Sequence, residues 1–162
     1  MPAERNAANV LLICRGNLCR SPMAMALLQP LLEREGLADR VVVDSAGYYD
    51  WGLFPREAHP FARRAVQELC GNDMLADHSA RRWSAGQVTG ATHILVAEAW
   101  MRTDFPSDKV MTFKEFGGEK GDVEDPYGGD YIEFLACAKK IQHLLEAGMP
   151  RIRVLLGLPS RL

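Results

Sequence analysis

Residues Leu11–Leu28 read LLICRGNLCRSPMAMALL. An apolar run ends at Cys14, breaks into a polar loop, and turns apolar again at helical spacing. Asn9–Cys14 is short and apolar, which reads as a buried strand. Ser21 and Pro22 then open a helix, with Ser at the cap and Pro at the first helical position. Met23, Ala26, Leu27, Pro30 and Leu31 mark one face, Pro30 kinks or ends the regular part, and Gly36 stops it. The junction between strand and helix therefore holds two thiols and two guanidinium groups within seven residues, from Cys14 to Arg20. Such groups point to a site at the end of the strand.

Working outward, the same alternation recurs. Arg40–Asp44 reads as a second buried strand, followed by Ser45-Ala46-Gly47 and an aromatic loop, YYDWGLFP. A helix is expected over about 56–69, closed by Cys70-Gly71-Asn72. HSARRWSAGQV enters a short helix, Thr92–Ala97 is a third strand, Glu98–Asp104 a short helix, and Lys109–Met111 a short fourth strand. The stretch Lys114–Gly129 is rich in Gly and acids and reads as a loop. A last amphipathic helix is expected over about 130–147, with Pro150 breaking it. The tail RIRVLLGLPSRL fits a strand, a short helix or a disordered end. Strands that alternate with helices predict a parallel sheet covered on both faces, an α/β layer sandwich.

Composition sets bounds. The chain has 162 residues, 48% hydrophobic and 25% charged, which suits one domain with its own core. The expected organisation is a single domain over 1–162, its core spanning about 9–148. A net charge of -2 gives no global attraction to nucleic acid or an anionic membrane. Four scattered cysteines, Cys14, Cys19, Cys70 and Cys137, form neither a disulfide scaffold nor a zinc-binding cluster. The N-terminus reads as neither a signal peptide nor a membrane span, so a cytoplasmic setting and no membrane insertion are expected.

In such folds ligands sit beyond the carboxyl ends of strands. The loop after Cys14 feeds a helix N-terminus, where unpaired amides and the positive dipole end attract an oxyanion. Gly16 and Asn17 tolerate the left-handed backbone that such a cradle needs. Amides, dipole and Arg20 all favour the thiolate of Cys14, the form that acts as nucleophile. Arg20 can grip two phosphate oxygens with its fork, and Ser21 can donate a hydrogen bond to the sulfur. A leaving oxygen needs an acid. The candidate is Asp125 in GDVEDPYGGD, with Asp122, Glu124 and Asp130 as competitors. His78 on its own reads as a surface or capping histidine.

These residues resemble the low-molecular-weight protein tyrosine phosphatases, over about 10–147. The stretch from Cys14 to Pro22 is similar to that family's phosphate loop, Asp44-Ser45-Ala46-Gly47 to its second-strand motif, and Asp125-Pro126-Tyr127 to its acid motif. The resemblance implies a flavodoxin-like three-layer sandwich around a four-stranded parallel sheet of order 2-1-3-4, without metal or cofactor. It implies Cys14 as nucleophile, Arg20 as phosphate ligand, and Asp125 as acid and then base in hydrolysis of a phosphocysteine. Arg15, Gly16, Asn17, Leu18, Cys19 and Ser21 would line the bound group. Asn17, Ser45 and His78 would support the loop, and Trp51 and Tyr127 would wall the pocket mouth. Cys19 matches a recurring second thiol that can pair reversibly with Cys14.

The substrate class is set by fewer residues. Aromatic walls and a deep pocket suit a phosphoaryl ring, and so a phosphotyrosine-bearing protein. SDKVMTFKEF and GDVEDPYGGD look like the bacterial branch that includes protein arginine phosphatases, whose arginine-specific members carry Thr where this chain has Leu18. A protein arginine phosphatase is thus the alternative, and a thiol-dependent arsenate reductase the more distant one. Inorganic phosphate or sulfate should bind in the loop, and the molecule is expected as a monomer or weak dimer. Two departures stand out. Arg15 follows the nucleophile, where many relatives have a neutral residue, and Glu98 stands where relatives often have Asp.

Overall fold

The computed structural model describes residues 7–50 and 55–159. Trp51 lies outside them. β1 (Ala8–Cys14) is flanked in a four-stranded sheet by β2 (Val41–Gly47) and β3 (His93–Val96), with β4 (Val110–Thr112) beyond β3. The order is β2-β1-β3-β4 and every pairing is parallel, as expected. Because the chain leaves β1 in one direction and resumes at β3 in the other, the loop after Cys14 sits at the switch in strand order. Register brings the site together: Cys14 pairs with Gly47, and Ile13 pairs with both Ala46 and Val96.

Among the described residues there are five helices and a 3₁₀ segment: α1 (Arg20–Arg34), α2 (Pro60–Cys70), α3 (Ala85–Gly90), the 3₁₀ turn Ala99–Asp104, α4 (Phe113–Phe116) and α5 (Tyr131–Leu155). β1 alternates between two cores. Val10, Leu12 and Cys14 face the larger one with α1, α2 and α5, while Leu11 and Ile13 face a smaller one with Ile94, Val96, Met101 and Phe105. Cys14 is thereby turned toward α1.

The elements differ from the sequence reading at several places, each with a physical reason. β2 runs on through Ser45, Ala46 and Gly47 instead of ending at Asp44. A Cβ at Gly47 would press on the Arg15, Gly16 and Tyr49 backbone at 3.0–3.2 Å, so glycine eases that close pass. α1 begins at Arg20, and Ser21 is no cap, because its hydroxyl is engaged by Cys14 and Asn17. Pro22 still lies in the first turn, where a missing N–H is tolerated. Pro30 lies inside α1, which continues to Arg34 before Gly36 turns left-handed at φ +73°.

α2 starts at Pro60, capped by His59, not near residue 56. Phe113–Phe116, read largely as loop, forms a helical turn with a Thr112/Glu115 capping box. That box is visible in the sequence as Thr-x-x-Glu. α5 passes through Pro150 to Leu155. A helical proline costs about 3 kcal/mol. Burial of Ile152 and Leu156 returns about 1.5–3 kcal/mol each. The buried Arg153 adds a 2.7 Å bond from Nε to the Pro159 carbonyl and an ion pair with Glu35 at 3.2 Å. The first five residues of the apparent tail, Arg151–Leu155, are therefore helix.

Candidate active site

The loop from Arg15 to Cys19 is held by its own carbonyls. The Arg15 carbonyl accepts from Tyr49 N–H at 2.9 Å and the Leu18 carbonyl from His59 N–H at 2.9 Å. His78 Nε2 lies 2.8 Å from the Asn17 carbonyl, and burial lowers the His78 pKa against the opposing pull of that bond. The ring is thus the neutral tautomer that donates from Nε2. With these carbonyls tied outward, the loop amides are left for an oxyanion. Asn17 takes φ +60°, the one non-glycine residue with positive φ among the described residues. Its buried side chain holds the conformation: Nδ2 donates to Ser21 Oγ at 2.8 Å and Ser45 Oγ at 3.0 Å, and Oδ1 accepts from Arg81 N–H at 3.2 Å.

Cys14, 3% exposed, places Sγ 3.0 Å from Ser21 Oγ. Arg20 is 1% exposed. Its Nη1 donates to the Val123 carbonyl at 2.6 Å and its Nη2 to Glu98 at 2.9 Å. The Nε–H is buried without an acceptor among the described residues, which leaves a charged donor for a ligand. Glu98 also receives Arg15 through Nε and Nη2 at 2.8 and 2.9 Å, and the Trp100 indole at 3.2 Å. Burial alone would raise the Glu98 carboxyl. Hydrogen bonds from Arg15, Arg20 and Trp100 outweigh it and hold it at about 2. Glu98 thus reaches both guanidinium groups.

Asp125 stands on the loop before α5, its side chain 32% exposed and Oδ2 3.5 Å from Arg20 Nη2. Oδ1 accepts from Tyr127 N–H at 3.1 Å. The root of this loop is fixed by Val123 N–H to the Ala97 carbonyl at 3.0 Å. Two of its competitors have other duties: Asp122 accepts from Ala99 N–H at 2.7 Å, and Asp130 caps α5 through Glu133 N–H at 3.0 Å; the third, Glu124, does not line the pocket that holds Cys14 and Arg20. Cys14, Arg15, Gly16, Leu18, Cys19, Arg20, Asp125 and Tyr127 enclose a cavity of about 340 Å³. A thiol, a buried cation and a carboxylate thus share one pocket.

The model of the low molecular weight phosphotyrosine protein phosphatase family matches residues 9–153. The chain belongs to that family. As a member of this phosphatase family it is a hydrolase that acts on phosphoproteins. It is 33% identical to the protein-arginine-phosphatase of Bacillus subtilis, with 85% of this chain and 91% of that protein covered. It is 30% identical to the low molecular weight protein-tyrosine phosphatase A of Mycobacterium tuberculosis, covering 88% and 87%. The crystal structure of a low molecular weight protein tyrosine phosphatase from T. tengcongensis superposes with a TM-score of 0.80 at 30% identity, covering 90% and 99%.

Within this phosphatase fold, nearly all the sequence-derived residues converge. Cys14, Arg15, Gly16, Leu18, Cys19, Arg20, Asp125 and Tyr127 line the pocket, and Asn17, Ser21, Ser45 and His78 brace it from behind. Cys19 is buried in its reduced form, and burial, reinforced by Cys14, raises its thiol strongly. Cys70 lies half-buried at the end of α2. Cys137 is buried on α5, and burial pushes its thiol up to about 12. The shared grip of Glu98, the Val123 carbonyl and the Arg81 amide were not legible, because each depends on segments distant in sequence. Asp44 also escaped notice as a brace: it accepts from Arg81 at 2.6 Å and Gln87 at 2.9 Å. Among the described residues no His, Cys, Asp or Glu cluster could hold a metal, and no helix is long and apolar enough to cross a membrane.

Proposed function

We propose that the chain hydrolyses phosphotyrosine in proteins, with Cys14 as nucleophile, Arg20 as phosphate ligand and Asp125 as acid and base. The observation that carries this is Cys14 Sγ, 3.0 Å from Ser21 Oγ, in a pocket lined also by Arg20 and Asp125. The Cys14 thiolate attacks phosphorus and the P–O ester bond breaks. The Asp125 carboxyl gives its proton to the leaving phenol oxygen. The resulting carboxylate takes a proton from water, the hydroxide attacks phosphorus, and the P–S bond breaks. Phosphate leaves, and the thiolate and the protonated carboxyl are restored. Arg20 and the loop amides gain as charge spreads over the equatorial oxygens, and Ser21 steadies the departing sulfur.

The choice of phosphotyrosine rests on the walls. Leu18 offers the pocket an apolar surface with no hydroxyl, and the Tyr127 ring stands at its mouth. A phosphoarginine guanidinium would meet the Arg15 cation in the lining. Both Glu98 oxygens that could balance it are engaged by Arg15, Arg20 and Trp100. The likeness to the Bacillus subtilis protein-arginine-phosphatase keeps that substrate as the second reading.

A competition assay with matched phosphotyrosine and phosphoarginine peptides tests the choice. Phosphotyrosine should show the higher kcat/KM, and the reverse order would move the assignment to phosphoarginine. For the chemistry, Asp125→Ala should slow phenyl phosphate by about 10²–10⁴-fold and p-nitrophenyl phosphate far less, since only the poorer leaving group needs the proton. Equal losses on both would remove Asp125 from the acid role.

A further inference from the structure

His59 lies outside the pocket lining, yet it touches two residues of that lining, Leu18 and Tyr127. Its ring stacks on the fully buried Phe134 of α5, with centroids 4.4 Å apart at 25°. Its edge meets the Tyr127 ring at 5.8 Å and 80°. Its Nδ1 accepts the Phe61 N–H at 3.0 Å, closing the first turn of α2. Its backbone N–H donates to the Leu18 carbonyl of the phosphate loop at 2.9 Å. Tyr127 is itself 63% exposed, so few contacts fix its ring.

The geometry points to His59 as a positioning residue that sets the Tyr127 wall against the substrate ring. The inference rests on the reading of Tyr127 as that wall. The stack and the cap together restrain the imidazole: Phe134 sets its plane and the Phe61 amide sets which nitrogen faces the helix. Tyr127 packs on a ring that is already restrained, so less order is lost when substrate arrives. The residue type follows. Phe would keep the ring but lose the cap, and Asn would keep the cap but lose the ring. Histidine supplies both. Burial lowers its pKa, so at neutral pH it stays the uncharged acceptor that the cap requires.

The two functions separate in two variants. His59→Asn should melt lower, having lost the stack on Phe134, and raise KM for an aryl phosphate about three- to tenfold with kcat within about twofold, as loss of one aromatic contact predicts. His59→Phe should melt lower and keep KM near that of the parent. In a Tyr127→Ala background, which itself raises KM, His59→Asn should add nothing. Unchanged KM in His59→Asn, while Tyr127→Ala raises it, overturns the positioning role and spares the wall. Unchanged KM in Tyr127→Ala overturns the wall itself. KM changes that simply follow melting temperature in both His59 variants reduce His59 to a structural residue.

Discussion

Asn17 carries more of the site than its size suggests. A non-glycine residue at φ +60° stores roughly 1–3 kcal/mol of backbone strain. It persists because three side-chain bonds, to Ser21, Ser45 and the Arg81 amide, fix it. Asn17→Ala removes all three and keeps the strain. It should destabilise the fold by about 2–4 kcal/mol in urea unfolding and lower kcat, since the same bonds aim Ser21 at Cys14. Ser45→Ala removes one bond and should lose about 1 kcal/mol. A fully stable Asn17→Ala enzyme would contradict the bracing role. The phosphate loop itself was legible because its residue types are local: a thiol, Gly-Asn, Arg and Ser-Pro in nine residues. What Glu98 does was not legible. Only the folded chain shows one carboxylate shared by Arg15, Arg20 and Trp100.

At the scale of elements, α4 and α5 meet at Gly148. A Cβ there would enter the Phe116 ring. Helix propensity favours Ala over Gly by about 1 kcal/mol, whereas overpacking a core costs about 1–3 kcal/mol. The clash is with a fully buried ring that has little room to move, so packing wins. Gly148→Ala should therefore lower the melting temperature, and Phe116→Leu in the same chain should restore part of it. A higher melting temperature would show that the ring gives way. The same helix shows why the sequence suggested too short an element. Pro150 is a local signal to stop, and the reason to continue, burial of Ile152, Arg153 and Leu156, is tertiary. The strands and their order were legible, since short apolar runs separated by helical stretches admit few arrangements.

Across the whole molecule, three histidines make stability depend on pH. Burial lowers the pKa of His59, His78 and His93 from the ordinary value of 6.5. The unfolded chain then binds more protons than the folded one once pH falls below about 6.5. Stability is fully present above that point and is lost as pH drops through the lowered folded values. Glu98 behaves differently: held at about 2 against an ordinary 4.5, it contributes above 4.5 and fails only as pH falls toward 2. Melting temperature should thus decline in two stages, the first setting in as pH falls below about 6.5 and the second in stronger acid, below 4.5. His78→Gln should flatten the first stage. An unchanged first stage would show that the buried imidazoles do not drive it.

The chemistry can be caught in the act. In Asp125→Ala, p-nitrophenyl phosphate should still transfer its phosphoryl group, while hydrolysis of the intermediate loses its base. Acid quenching during turnover, followed by peptide mass mapping, should find a phosphoryl group on Cys14 and a nitrophenol burst of about one equivalent per site. A phosphoryl group on another residue, or turnover with no trapped intermediate and no burst, would contradict the account.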